Sequence, residues 1–75
     1  MGQDVRIRYD PHARRRMQAR GISEGEVEAV LASPEITRPG HSGRTMQTTH
    51  PNGRFIKVVF TRLPDDTLYI ITAAD

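Results

Sequence analysis

The stretch from Asp10 to Pro34 is punctuated so heavily that it leaves little choice of local structure. Asp10-Pro11 reads as an N-cap followed by a proline at the first helical position, where its missing N–H costs nothing. Gly21 supplies a left-handed stop for a helix running to about Arg20. Ser23-Glu24-Gly25-Glu26 then forms a capping box, and Ile22 before it is placed to staple onto Val27. Pro34 forces the second helix to end. Its glutamates near the first turn suit the helix dipole. Two short helices separated by a tight turn are therefore predicted, the first burying Ala13 and Met17, the second Val27, Val30 and Leu31.

The rest of the chain reads as strands. Val5-Arg6-Ile7-Arg8-Tyr9 alternates apolar and basic, which points Val5, Ile7 and Tyr9 at a core. A weak strand around Ile36 leads into the loop Pro39–Gly43, and Thr45 to His50 is a threonine-rich strand. Asn52-Gly53 is expected to form a two-residue type I′ hairpin turn. Phe55 to Thr61 is apolar on both faces, as a central strand should be. Leu63 to Thr67 turns the chain, and Leu68 to Ala73 is the last strand. The order is β-α-α-β-β-β: one small α+β domain, two N-terminal helices packed on one face of a twisted, mainly antiparallel sheet.

Composition bounds the function. A chain of 75 residues has a thin core, and without cysteine it has no disulfide or thiolate metal site to reinforce it. The spacing of His12, His41 and His50 fits no metal-ligand pattern, so neither metal nor cofactor is expected. No apolar run is long enough for a membrane span and no export signal opens the chain, so a cytoplasmic protein with no membrane contact is expected. The net charge is only +2, but ten of the eleven bases are arginine. Residues 21–35 hold four glutamates and no base, whereas residues 36–62 hold four arginines and Lys57 and no acid. Arginine presents a planar fork of donors suited to phosphate, and this bias favours an anionic partner.

The pattern His12-Ala13, Arg16-Met17, Arg20-Gly21-Ile22-Ser23, Val27, Val30-Leu31 and Pro34 resembles a family of small bacterial proteins catalogued as domain of unknown function 4258. Through it the chain is similar, more distantly, to BrnT-type toxins and the RelE/ParE-like ribonuclease fold. That resemblance implies a basic protein that binds or cleaves RNA without a metal and is neutralised by an antitoxin-like partner. BrnT-like toxins typically end their last strand in an Ile-Ser-Ala-Arg type sequence and continue into a basic tail. Here Ile71-Thr72-Ala73-Ala74 stands in that place, followed by Asp75.

Metal-free ribonuclease chemistry needs a base, an acid and cations around the phosphate. The candidate proton-transfer and charge-stabilising residues are His50, Lys57 and His12. With a two-residue turn, Thr48 faces Lys57, and His50 shares a face with Lys57 on the diagonal. The candidate nucleic-acid-binding residues are Arg16, Arg20 and Arg54. Arg16 and Arg20 lie along the edge of the buried face of the first helix, where they meet either a phosphate or a carboxylate such as Glu28 or Glu35. Phe55, Phe60, Tyr9 and Tyr69 are expected in the core. Two functions of different kinds fit: an RNA-binding or ribonuclease component of a toxin–antitoxin pair, or a non-catalytic interaction module that keeps the fold and works through homodimerisation or a partner protein. The absent C-terminal arginine favours the second. RNA binding without cleavage is a third reading.

Overall fold

The computed structural model describes residues 6–75. Val5, the first residue of the expected N-terminal strand, lies outside them. Strand β1 (Ile7–Tyr9) leads into helices α1 (Pro11–Arg20) and α2 (Glu24–Ala32), and then β2 (Ile36–Pro39), β3 (Thr45–Thr49), β4 (Ile56–Arg62) and β5 (Leu68–Ala74). The strands form one sheet in the order β1-β5-β4-β3-β2, antiparallel throughout except that β1 runs parallel to β5. The fold is α+β. The stretch around Ile36 adds an edge strand to the sequence-derived order, so four strands rather than three follow the helices.

The helix boundaries fall where the punctuation put them. Asp10 Oδ1 accepts the His12 amide at 2.8 Å, and Gly21 takes φ 66° at the C-terminus of α1. Ser23 and Glu26 complete the reciprocal capping box. Each helix turns a narrow apolar stripe inward: Ala13 and Met17 from α1, which packs on β5, and Val27 and Val30 from α2, which packs on β4 and β3. Ile22, between the helices, joins the same core, with Leu31 packed at its margin.

Among the described residues, the helices cover one face of the sheet. Ile56, Val58 and Phe60 of β4 are buried beneath the helices, while the intervening Lys57, Val59 and Thr61 are half-buried on the other side. In β5 the buried residues are Leu68, Ile70 and Ala73, a spacing of two and then three. A bulge explains the change of step: Val59 pairs with Thr72 and Phe60 with Ile70, leaving Ile71 as the extra residue. The bulge keeps Ala73 on the core face opposite Val58.

Two sequence expectations are corrected. The connection between β3 and β4 is not a two-residue turn: the ladder closes at Thr49–Ile56 and residues 50–55 lie outside it. Pro51, with its fixed φ, starts a 3-10 turn over Pro51–Gly53, in which Gly53 donates to the His50 carbonyl and itself takes φ 80°. The longer connection ejects Phe55 from the strand, and its side chain is 44% exposed rather than in the core. Tyr69 is the second correction, half-buried on the uncovered face.

Candidate nucleic-acid interface

The uncovered face is assembled by register. Arg8 pairs with Tyr69 and Tyr69 with Thr61; Lys57 pairs with Ala74 on one side and Thr48 on the other; Arg38 pairs with Met46 and Met46 with Val59. Paired residues point to the same side of a sheet, so Arg8, Lys57 and Arg38 share the face opposite the helices. The strands contain no aspartate or glutamate at all. Among the described residues, no carboxylate pairs with any of these three bases. They stretch from β1 at one edge to β2 at the other, four strand spacings of about 4.8 Å each, or roughly 19 Å. Tyr69 offers an aromatic ring on the same face. Its hydroxyl donates to Asp10 Oδ2 at 2.6 Å, a bond that lowers the Asp10 carboxyl below its usual range and raises the phenol.

The helix side is electrostatically different. Arg14 pairs with Glu24 and stacks over the Tyr9 ring, 4.3 Å from its centroid. Arg20 Nε lies 2.9 Å from Asp75 Oδ1, and Arg54 Nη2 lies 2.6 Å from Asp75 Oδ2. Arg54 also donates to the carbonyls of Arg20 at 2.6 Å and Gly21 at 3.0 Å, and reaches Glu26 at 3.7 Å. It thus closes the C-terminus of α1, where the helix dipole favours a cation. The carboxylate on Arg20 is Asp75, because β5 lies under α1 and delivers its end to the last turn of that helix; it is neither Glu28 nor Glu35.

His12, Arg16 and Arg20 are brought together, with Arg15 and Ala19, along an open groove on the outside of α1. His50 goes elsewhere. Its Nδ1 lies 3.0 Å from Glu35 Oε1, and its ring meets Phe55 edge-on at a centroid distance of 5.5 Å. The His50 bond is the main cause holding the Glu35 carboxyl below its usual range. Thr48 faces Lys57 as the sequence led us to expect, but His50 lies beyond the ladder that holds Lys57. His12 is in the helix layer and Lys57 on the opposite face of the sheet, so the three proton-transfer candidates do not converge on one point. The chemistry this arrangement offers is an extended track of cations rather than an acid–base pocket.

Arg8, Arg38 and Tyr69 were not among the sequence candidates. The acid-free run 36–62, read with the two-residue period of a strand, points to Arg38; Arg8 and Tyr69 lie outside that run, and only the pairing of β1 with β5 and of β5 with β4 brings them to the same face. That combination of period and pairing places every strand acid, had there been one, and every strand base on a definite face.

A family model described as Domain of unknown function (DUF4258) matches residues 9–75, and the chain belongs to that family. No curated protein and no solved structure matches the chain. Among the described residues, no helix is long and apolar enough to cross a membrane.

Proposed function

We propose that this DUF4258 member binds single-stranded RNA across the uncovered face of its sheet. The observation that supports the reading is a difference in charge pairing: on the helix side Arg14, Arg20 and Arg54 are held by Glu24, Asp75 and Glu26, with Arg15 and Arg16 left on the outside of α1, whereas Arg8, Lys57 and Arg38 lie together on a face whose strands carry no acid. A flexible polyanion is attracted by such a track, and a base can stack on the Tyr69 ring. Binding is the activity proposed, because His12, His50 and Lys57 are dispersed over separate surfaces. The test is fluorescence anisotropy with a short labelled single-stranded RNA. Wild-type protein binds, the Arg8→Ala/Arg38→Ala/Lys57→Ala variant loses at least about tenfold in affinity, and Arg16→Ala binds as wild type. Equal affinity of the triple variant would remove the proposal. Gel analysis of the same RNA after incubation decides whether cleavage accompanies binding, with His50→Ala as the control.

A second reading has its own support. All four residues of β2 are exposed at the sheet edge, and Ile36 is 48% accessible. An unpaired strand edge accepts a strand from another chain, either a second copy or an antitoxin-like protein. Sedimentation of the purified chain tests self-pairing: a dimer that Ile36→Lys converts to monomer supports it, and a monomer at every concentration rules it out.

A further inference from the structure

At one end of the uncovered face, the loop between β2 and β3 folds back over the sheet. Thr61 Oγ1 donates to the Gly43 carbonyl at 3.4 Å. The Gly40 amide donates to the Arg44 carbonyl at 2.8 Å, and the Arg44 amide to the His41 carbonyl at 3.1 Å. Ser42 and Gly43 are both left-handed, at φ 58° and 76°. A serine there is uncommon, and it persists where its surroundings hold it. Gly40 sits close to the same turn: a Cβ at that position would stand 3.4 Å from both the Cβ and the carbonyl oxygen of Arg44, in van der Waals contact.

The loop and the sheet bound a half-open cavity of about 310 Å³ lined by Pro39, Gly40, His41, Arg44, Met46 and Val59. Its floor is apolar, because Met46 and Val59 are register partners on the uncovered face. Its rim carries the Arg44 cation with the His41 ring beside it, and Arg38 lies beside Met46 in the next strand. No acid occurs between residues 36 and 64. A cationic ligand has no partner in such a cavity, and a purely apolar one leaves the rim unused. A flat ring carrying a phosphate matches both parts. The volume is at the lower end of the roughly 300–1,000 Å³ of small-molecule sites, which limits the occupant to a unit of about one nucleotide.

We infer that this cavity is a single-nucleotide subsite of the RNA track, in which a base lies against Met46 and Val59 and its phosphate meets Arg44. The methionine thioether adapts to an aromatic ring, and the guanidinium presents paired donors to phosphate oxygens. The inference rests on the RNA-binding reading and assigns one nucleotide of the strand to a defined place.

Backbone-amide NMR on the whole chain tests it, with four probes: a nucleoside 5′-monophosphate, the nucleoside alone, inorganic phosphate and a short single-stranded RNA. The monophosphate should move the amides of residues 40–46 and 59 saturably, at least about tenfold more tightly than nucleoside or phosphate alone. Arg44→Ala should weaken the monophosphate by about tenfold or more, and Met46→Ser should weaken the monophosphate but not inorganic phosphate; the dispersion of each spectrum shows that the variant is folded. If RNA moves amides across β1–β5 while the monophosphate leaves residues 40–46 and 59 unmoved, or binds no better than inorganic phosphate, the subsite is overturned and the RNA reading stands. If RNA moves nothing, the RNA reading itself fails.

Discussion

Arg54 Nη2 stands 2.6 Å from Asp75 Oδ2 and 2.6 Å from the Arg20 carbonyl, so one guanidinium ties the end of β5 to the end of α1. The Arg54 bond first, and the Arg20 bond second, lower the Asp75 carboxyl from 3.8 to about 2. A carboxyl depressed in the folded state stabilises the protein above its unfolded value and stops doing so as the pH falls through the folded one. Urea unfolding should therefore show wild-type protein losing stability between about pH 4 and pH 2. Asp75→Asn should be less stable than wild type at neutral pH and should nearly match it at pH 2. Parallel curves for the two proteins over that range would show that the pair contributes nothing.

Tyr9 is a partly buried phenol whose hydroxyl finds no partner among the described residues. Burial, followed by the nearby Glu24 and Glu28 charges, pushes its pKa up to about 12. A buried hydroxyl without a hydrogen bond is a net cost. Tyr9→Phe should keep the Arg14 stacking and raise stability by up to about 1 kcal/mol. It should also lessen the loss of stability that wild type shows as the pH rises from 10 towards 12, to which Tyr69 contributes as well. A marked drop in melting temperature for Tyr9→Phe would mean that the hydroxyl is satisfied after all.

The core is small and the caps matter accordingly. Ile56 is fully buried at the start of the central strand β4, which packs against α2. Ile56→Ala should cost about 3 kcal/mol, a large part of the stability of a domain this size. Ser23→Ala removes one half of the capping box and should cost about 1 kcal/mol, without changing the surface proposed to bind RNA. Chemical denaturation of both variants gives the comparison. A Ser23 variant as unstable as the Ile56 variant would place the cap, rather than the core, at the centre of folding.

What the sequence disclosed was local. Asp10, Pro11, Gly21, Ser23 and Glu26 act within a few residues of themselves, and both helices ended close to where those residues required. The central position of β4 was legible from its apolar run, Ile56, Val58, Val59 and Phe60, although Lys57 and Thr61 make one face partly polar. Contacts between distant segments were not. Asp75 meets Arg20 across 55 residues of chain and Glu35 meets His50 across 15, and nothing in either neighbourhood announces the partner. The register of β3 on β4 came out as expected, but the ladder stops short of His50 for a specific reason: Asn52-Gly53 is a strong two-residue turn signal, yet Pro51 beside it favours the tighter 3-10 geometry and lengthens the connection. The bulge at Ile71 was likewise hidden, because it shows only as a change in the spacing of buried residues.

The salt dependence of RNA affinity tests the central proposal most directly. For a single strand, each phosphate neutralised by a protein cation adds about 0.7 to the steepness of log affinity against log salt. Three such cations, Arg8, Arg38 and Lys57, should give wild-type protein a slope near about −2 from this face, and Lys57→Ala should be shallower by about 0.7. The triple variant should keep only a shallow slope, about −0.7 if Arg44 still meets one phosphate. An affinity that ignores salt, or a triple variant with the same slope as wild type, would contradict an RNA track on the uncovered face.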